Sequence, residues 1–120
     1  MRAFTLLELL VVLIIVGIMA GIAIPNYVKT SERAKDREAQ TSLSLIQAAE
    51  RMYRLRNTAY YSSTSITAIN DNLHLSLASQ SWNYTIPSAS VTDFNATAVR
   101  SSGPARTCWI NSTNANATCP

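Results

Sequence analysis

Few side chains in this sequence suit catalysis or metal binding. His74 is the only histidine among the 120 residues, and it alternates with leucines, which favours an exposed strand position over a base or metal ligand. Cys108 and Cys119 are the only cysteines, and they lack the histidine partners or repeated spacing of a metal site. The sequence has no glycine-rich phosphate loop and no nucleophile elbow. We therefore expect no enzyme activity, no metal site and no cofactor.

The two cysteines suit a disulfide better. Cys108 and Cys119 lie close together near the C-terminus, and a bridge between them closes a loop of about a dozen residues, which stabilises a fold by roughly 3 kcal/mol. Such a bridge persists in an oxidising compartment, which this region faces if the N-terminus is inserted in a membrane. The alternative is two free thiols in a reduced protein.

A carboxylate lies at the start of the most apolar segment. Residues Leu9 to Ile24 carry no charge, whereas Glu8 precedes them and follows Leu6 and Leu7. As a helix, the stretch from Leu6 to Ile24 is about 28 Å long, close to the roughly 30 Å hydrocarbon core of a bilayer. An unpaired carboxylate near that core costs about 2.5–3.5 kcal/mol. A plain membrane anchor gains nothing from this charge, so we expect Glu8 to acquire a partner.

The apolar segment also contains residues that weaken a helix. Its length exceeds the 7–15 apolar residues of a signal peptide, and no small-residue cleavage site follows it, so we expect it to be retained. Gly17 and Gly21 each cost a helix about 1 kcal/mol relative to alanine. Pro25 leaves the Gly21 carbonyl without its usual donor. The pattern predicts a helix that is broken or able to melt near Gly17–Pro25, and the alternative is an ordinary packing kink.

A second helical pattern follows Pro25 and extends to about Arg56. Its apolar residues recur at three- and four-residue spacing: Ala39, Leu43, Ile46, Ala49 and Tyr53, with Leu45 and Met52 widening the stripe. The charged residues fall on other faces, which we expect to be solvated: Lys29, Glu32, Arg33, Asp36, Arg37 and Glu50. The sequence thus predicts one long helix interrupted near Pro25, with a hydrophobic segment over 1–27 and a globular domain over 28–120 that starts with helix 28–56.

Short strands are predicted in the remainder, which is rich in serine, threonine and asparagine. Alternating patterns indicate strands over 73–77 and 82–86, with further candidates over 91–99 and 107–110. Breaks fall at 70–72, 87–88 and 102–104. In the third candidate, Phe94, Ala96 and Ala98 share one face. We expect a small antiparallel sheet packed on the C-terminal half of the long helix, which makes the fold class α+β.

The net charge of +3 does not predict a nucleic-acid surface. Most charges lie between Lys29 and Arg56, and the region after Asn57 has only four: Asp71, Asp93, Arg100 and Arg106. A nucleic-acid surface concentrates lysine and arginine on the folded domain. We therefore predict no specific nucleic-acid partner.

Four asparagines begin Asn-X-Ser/Thr triplets: Asn83, Asn95, Asn111 and Asn116. Chance matches are expected in this composition, so plain surface polarity is the alternative to glycosylation. Asn95 fits slightly better, because Asp93 two residues earlier resembles the extended bacterial acceptor pattern. We predict added mass on this domain, on asparagine or on serine and threonine.

The segment from Phe4 to Tyr27, FTLLELLVVLIIVGIMAGIAIPNY, resembles the N-terminal helix of type IV pilins and pseudopilins. It combines the Phe-Thr start, the glutamate four residues after Phe4 and the closing proline, and it covers about a fifth of the chain. The resemblance implies the type IV pilin fold and an inner-membrane precursor that a prepilin peptidase trims and N-methylates. Pilus assembly machinery would then polymerise identical subunits, with 1–27 as the filament core and the domain 28–120, including a disulfide-closed C-terminal loop, outside.

The resemblance also assigns roles within the segment. Glu8 matches the buried glutamate that neutralises the N-terminal ammonium of a neighbouring subunit. Gly17, Gly21 and Pro25 match the zone that loses helicity in many such filaments.

The start of the chain departs from the family pattern. The mature chain of the family usually begins at the phenylalanine, whereas Met1, Arg2 and Ala3 precede Phe4 here. One interpretation is that these three residues are a short leader. We instead expect Met1 to be the mature N-terminus after a longer leader. The partner of Glu8 is then the Met1 ammonium or Arg2 of a neighbouring subunit.

The resemblance implies a structural subunit of an extracellular type IV pilus-like filament for adhesion, motility or surface attachment. The nearest alternative is the major pseudopilin of a type II secretion system, a class that commonly binds calcium through a carboxylate-rich C-terminal loop. The C-terminal region here has almost no carboxylates, so we favour the pilin. A single-span, membrane-anchored periplasmic binding protein is a third interpretation, which leaves Glu8 unexplained. We expect the precursor in the inner membrane and the filament on the bacterial surface.

Overall fold

The computed structural model describes residues 2–120, which form two helices and one three-stranded sheet. The elements are α1 (Leu6–Asn57), α2 (Ile66–Leu73), β1 (Trp82–Ala89), β2 (Phe94–Arg100) and β3 (Thr107–Asn111). The chain divides into two compact units, one ending at Ala34 and the other running from Lys35 to Pro120. The predicted α+β class, with a long N-terminal helix and a small antiparallel sheet, is confirmed.

Helix α1 begins where Thr5 caps it. The Thr5 Oγ1 atom accepts a hydrogen bond from the Glu8 backbone N–H at 3.2 Å, and the Thr5 carbonyl accepts one from Leu9 N–H at 3.2 Å. A threonine followed three residues later by glutamate is the capping-box sequence. The Glu8 carboxylate also lies in the first turn, where the positive end of the helix dipole favours it. The local sequence therefore fixes the start of the helix.

Helix α1 does not break where the sequence predicts a break. It continues through Gly17, Gly21 and Pro25, so the predicted interruption near Gly17–Pro25 is wrong for the single chain. Pro25 removes one backbone donor, but the hydrogen bonds of the turns on either side still hold the helix. A Cβ atom built on either glycine meets no atom within 4 Å, so packing within the chain does not require glycine there. Melting at these residues in a filament stays a prediction.

The core of the second unit lies between the C-terminal half of α1 and one face of the sheet. Ala39, Leu43 and Ile46 of α1 are buried, as predicted, and Ala49 and Tyr53 pack against them while partly exposed. The sheet and the loops complete the buried cluster: Ile69, Leu73, Trp82, Tyr84, Ile86, Phe94, Ala96, Ala98, Cys108, Ile110 and Ala117. The shared inward face of Phe94, Ala96 and Ala98 is confirmed.

The buried stripe on α1 differs in composition from the prediction. Leu45 and Met52, predicted to widen it, are 51% and 55% exposed. Gln47 and Glu50 are buried in their place. Around the helix axis, Leu45 is rotated by about 100° from Ile46 and by about 160° from Leu43. Its side chain therefore points away from the sheet. The polar residues occupy the inner face because each has a hydrogen-bond partner there.

Polar contacts join α1 to the sheet at both ends of the buried stripe. The Trp82 indole N–H donates to the Lys35 carbonyl at 3.0 Å, and Arg106 Nη1 lies 2.7 Å from Asp36 Oδ2. At the other end, Gln47 Nε2 donates to the carbonyls of Asn111 and Asn114 at 2.7 and 2.8 Å. These bonds set the position of the helix along the sheet, which apolar packing alone leaves free to slide.

The sheet has the order β1-β2-β3 and both pairs are antiparallel. Its strands agree with the candidates over 82–86, 91–99 and 107–110, apart from their ends. The predicted break at 87–88 is a register shift inside β1, between Thr85 and Ser88. Pro87 lies at this irregularity, where a missing N–H costs the ladder little. A bridge from Ser63 to Ile86 joins the segment after α1 to β1.

The predicted strand over 73–77 is wrong, because α2 ends there instead. α2 runs through the predicted break at 70–72, and His74 follows it as a left-handed cap with φ 54°. The Asn70 side chain then accepts from Leu77 N–H at 2.9 Å and donates to the Leu77 carbonyl at 3.1 Å. These bonds satisfy the backbone without a strand partner. The leucine alternation still marks burial, since Leu75 and Leu77 pack partly on the core.

Candidate functional site

The N-terminal end of α1 brings together three of the residues predicted for assembly. Arg2, Phe4 and Glu8 line one surface cavity of about 270 Å³ together with Ala3. The guanidinium and the carboxylate therefore lie at the same end of the helix. The fourth predicted residue, Met1, lies outside the described residues.

The first part of α1 has an exposed apolar surface. Every residue from 2 to 30 is exposed, and the large apolar side chains from Phe4 to Val28 are 45–83% exposed. Apolar surface this continuous marks a membrane or protein contact. Among the described residues, α1 is the one helix long and apolar enough to cross a membrane by length and composition. Within this surface, Glu8 is the only charged side chain between Leu6 and Val28.

The C-terminal loop is held to the sheet by a disulfide and by backbone hydrogen bonds. Cys108 and Cys119 are joined, with their Cα atoms 4.2 Å apart. Beside the disulfide, Trp109 and Thr118 exchange two backbone hydrogen bonds of 2.9 Å each. Cys108 is fully buried. The disulfide and the two hydrogen bonds therefore hold Thr118 and Cys119 against the outer edge of β3.

The four glycosylation candidates differ in exposure. Asn83 and Asn116 are exposed, whereas Asn95 and Asn111 are half-buried. The Asn111 Oδ1 atom accepts hydrogen bonds from Thr113 and Asn114, and the Asn95 Oδ1 atom is buried. The two exposed asparagines are the more accessible acceptors, in contrast to the sequence preference for Asn95. Modification at any of them stays a prediction.

The sequence reasoning missed one buried carboxylate. Glu50 is fully buried, and its Oε2 atom accepts a hydrogen bond from the Tyr61 backbone N–H at 2.9 Å. Its Oε1 atom has no hydrogen-bond partner within residues 2–120. Burial raises the pKa of Glu50 to about 7, and the Tyr61 hydrogen bond opposes part of that rise. Its spacing from Leu43 and Ile46 places it on the buried stripe, so the signal was present in the sequence.

The remaining candidates are His74 and the side chains that could hold a metal ion. His74 is exposed at the end of α2. Across residues 2–120, no group of three histidine, cysteine, aspartate or glutamate side chains is arranged to hold a metal ion. The arrangement of greatest functional interest is therefore the exposed apolar part of α1 with Glu8 in its first turn.

Parts of this chain are similar to known proteins. Residues 1–24 match the prokaryotic N-terminal methylation motif. The chain is 46% identical over 52 residues to the type IV major pilin protein PilA of Myxococcus xanthus, covering 43% of this chain and 24% of that protein.

Core protein G of the type II secretion system is also similar. The protein from Pectobacterium carotovorum subsp. carotovorum is 37% identical over 59 residues, covering 49% of this chain and 38% of its own length. The protein from Vibrio cholerae is 40% identical over 57 residues, covering 48% of this chain and 39% of that protein. The chain thus spans a quarter to two fifths of the length of these relatives.

Proposed function

We propose that this chain is a member of the type IV pilin and pseudopilin family, which the methylation motif and the similar proteins support, and that it is the structural subunit of an extracellular type IV pilus-like filament. The observation that carries the proposal is the exposed apolar surface of α1 with a single carboxylate, Glu8, in its first turn. In the precursor, the inner membrane covers this surface. In the filament, the same surface of identical copies forms a central bundle, and the units from Lys35 to Pro120 lie outside.

The role of Glu8 is to pair with a cation of a neighbouring copy. A carboxylate in an apolar bundle is costly unless it is paired and hydrogen-bonded. The cation is the N-terminal ammonium or Arg2 of the neighbour, because Arg2 lies at the same helix end as Glu8. Pairing then fixes the axial register of one subunit on the next, since any other register leaves the charge uncompensated.

The proposed role is structural and not catalytic. Prepilin peptidase processing and N-methylation precede assembly, which fits the methylation motif over residues 1–24. The partners are the pilus assembly machinery and other copies of the chain. Loss of helicity around Gly17, Gly21 and Pro25 accompanies packing in the filament.

A second candidate function is the major pseudopilin of a type II secretion system. It is favoured by the similarity to the core protein G relatives. Surface filaments distinguish the two functions, because a pilin gives long filaments at its natural expression level. Deleting a pseudopilin instead traps secreted enzymes inside the cell.

Replacing Glu8 tests the pairing. Glu8→Gln keeps the size of the side chain but removes the charge, so the neighbour's cation is left unpaired in the bundle at a cost of about 3–5 kcal/mol. We expect the variant to accumulate in the membrane while sheared filaments fall at least about a hundredfold. The amounts in the two fractions are measured by immunoblot.

The matched control is Glu38→Gln, which changes an exposed carboxylate on the same helix. We expect filaments of this variant at the wild-type level. Normal filament growth by Glu8→Gln would refute the pairing. A wild-type chain that anchors in the membrane but never polymerises would refute the filament function itself.

A further inference from the structure

A cleft with two arginines lies beside the last turns of α1, within the unit from Lys35 to Pro120. Its volume is about 490 Å³. Five residues line it: Arg51, Arg54, Leu55, Thr58 and Tyr60. The first four follow one another at helical spacing, so they share one face of α1 and of the residue after it. Tyr60 faces them from the segment that follows the helix. We call these five residues the arginine cleft.

Both guanidinium groups of the arginine cleft are held by partners that carry no charge. The Arg54 guanidinium lies 5.1 Å from the centre of the Tyr60 ring, and its Nη1 atom donates to the Tyr60 hydroxyl at 3.3 Å. The Arg51 Nη2 atom donates to the Ser112 carbonyl at 3.4 Å. A guanidinium has five N–H donors, so most donors of each arginine remain for a ligand. Because both groups are already oriented, binding a ligand costs less ordering of side chains.

Within residues 2–120, neither arginine of the cleft forms an ion pair with a carboxylate. Glu50 has the spacing of a helical ion pair with Arg54, four residues later, but it is buried and accepts a backbone N–H in the core instead. The Asp93 carboxylate bonds the N–H and hydroxyl of Ser112, whose carbonyl accepts from Arg51. The twenty residues after Glu50 contain no aspartate or glutamate. The arginine cleft therefore keeps a positive charge that an anion can neutralise.

We propose that the arginine cleft binds a tetrahedral oxyanion, a phosphate or sulfate group. Three side chains supply donors: Arg51, Arg54 and Tyr60, whose hydroxyl accepts from Arg54 and keeps its own hydrogen. A carboxylate has only two oxygens, whereas a phosphate or sulfate group has at least three, one for each donor side chain. Arginine also pairs strongly with such groups through parallel hydrogen bonds. The site is separate from the proposed filament function, since a single chain contains all of it.

The size of the arginine cleft suits one oxyanion group rather than a nucleic-acid strand. A protein that follows a nucleic-acid backbone neutralises several phosphates with a run of cations, whereas two arginines line this cleft. Tyr60 is no stacking platform for a base, because Arg54 and Phe94 lie against its ring. Leu55 is 80% exposed beside the arginines and can contact the apolar part of a molecule that carries the group. The ligand is therefore a free oxyanion or a small ester such as a sugar phosphate.

NMR titration of the full chain in micelles of a nonionic detergent tests the site without requiring filaments. Inorganic phosphate, inorganic sulfate, acetate and glucose-6-phosphate are added separately at equal ionic strength. The Nε–Hε signals of the arginine side chains report binding in isotope-labelled protein. The double variant Arg51→Gln, Arg54→Gln removes both guanidinium groups. The matched control, Arg33→Gln with Arg37→Gln, removes two exposed arginines from the same helix.

We expect phosphate and sulfate to shift the Arg51 and Arg54 signals to saturation in the wild type. Binding should be at least about tenfold weaker in the double variant and unchanged in the control. The single variant Arg51→Gln changes an exposed side chain and should also weaken binding, which keeps the test valid if the double variant does not fold. Tighter binding of glucose-6-phosphate than of phosphate would assign an esterified ligand, and equal binding a free ion; both support the site.

Three results would overturn the proposal. Shifts that never saturate would show that the cleft has no site. Equal weakening in the control variant would show attraction to positive charge in general. Equal binding of acetate would exclude selection of a tetrahedral oxyanion. The filament function survives each of these results, because the titration measures the single chain.

Discussion

Two carboxylates of α1 show how far single residues can be interpreted from sequence. Glu8 stands out because its neighbours in sequence are apolar, so its cost in an apolar bundle is evident from the sequence alone. Glu50 lies between Ala49 and Arg51, and its charge alone suggests a solvated face, although its spacing from Leu43 and Ile46 places it on the buried stripe. Its burial depends on the sheet and on the Tyr61 N–H, which comes from the segment after the helix. The helical spacing thus indicates the buried position, but the Tyr61 partner that stabilises the carboxylate there is not visible in a local pattern.

Glu50 makes the stability of the fold depend on pH. Its pKa rises from 4.5 to about 7 on folding, so between these values the native state binds more protons than the unfolded state. The free energy of unfolding therefore falls as pH rises through this window. The added stability is fully present below pH 4.5 and is lost above about pH 7, a change of roughly 3 kcal/mol for this group.

The variant Glu50→Gln isolates this contribution. The amide oxygen still accepts the Tyr61 N–H, but the side chain does not ionise, so we expect the variant to be more stable than the wild type at pH 8. Chemical unfolding of the full chain in detergent micelles, followed by tryptophan fluorescence at pH 5 and pH 8, measures the difference. Glu38→Gln is the control with an exposed carboxylate. The same pH dependence in the wild type and Glu50→Gln would contradict the assignment.

At the scale of elements, hydrophobic periodicity predicted the helix and strands in which buried residues recur at a regular spacing. The long helix and the three strands follow from three-to-four and two-residue spacing. Leu73, Leu75 and Leu77 have strand spacing and still form no strand, because the Asn70 side chain satisfies the Leu77 backbone. Leu45 and Met52, which the pattern predicts to widen the buried stripe, are exposed instead. Their exposure follows from the angle of each residue around the helix, which limits the buried face.

Replacing Pro25 tests whether α1 must melt when the filament assembles. The helix is continuous through it in the single chain, so Pro25→Ala adds one hydrogen bond to Gly21 and strengthens the helix by about 3 kcal/mol. If filament packing requires this turn to melt, the variant must overcome that added stability. We expect a normal amount of subunit in the membrane and fewer filaments, measured by immunoblot of membrane and sheared fractions.

The control for this experiment is Pro87→Ala, which changes a proline at the irregularity of β1. We expect it to assemble as the wild type does. A Pro25→Ala chain that polymerises normally would show that the helix stays continuous in the filament, or that its melting is not needed.

At the scale of the whole chain, the two compact units differ in how they satisfy their apolar residues. The unit from Lys35 to Pro120 buries a core of its own and closes its last loop with a disulfide. In the unit ending at Ala34, residues 2–30 are all exposed. The sequence predicted the core and the apolar run, but not the exposure of Leu45 and Met52, because exposure on α1 depends on which of its faces the sheet covers.

In the proposed filament, we expect assembly to be sensitive also to a substitution at Met52, an exposed apolar residue on the C-terminal half of α1. Met52→Asp places a carboxylate on the exposed apolar face of α1, and an unpaired charge there resists burial against a neighbouring copy. Val99→Asp makes the same change at a residue of similar exposure on the sheet, 45% against 55%. Both chains should keep their disulfide and their amount in the membrane, since neither residue is buried. We expect sheared filaments of Met52→Asp to fall at least about tenfold, equivalent to 1.4 kcal/mol, and those of Val99→Asp to match the wild type. Wild-type filament yields from both variants would show that this exposed face of α1 contributes nothing to assembly, whereas equal losses from both would indicate general intolerance of charge on this unit.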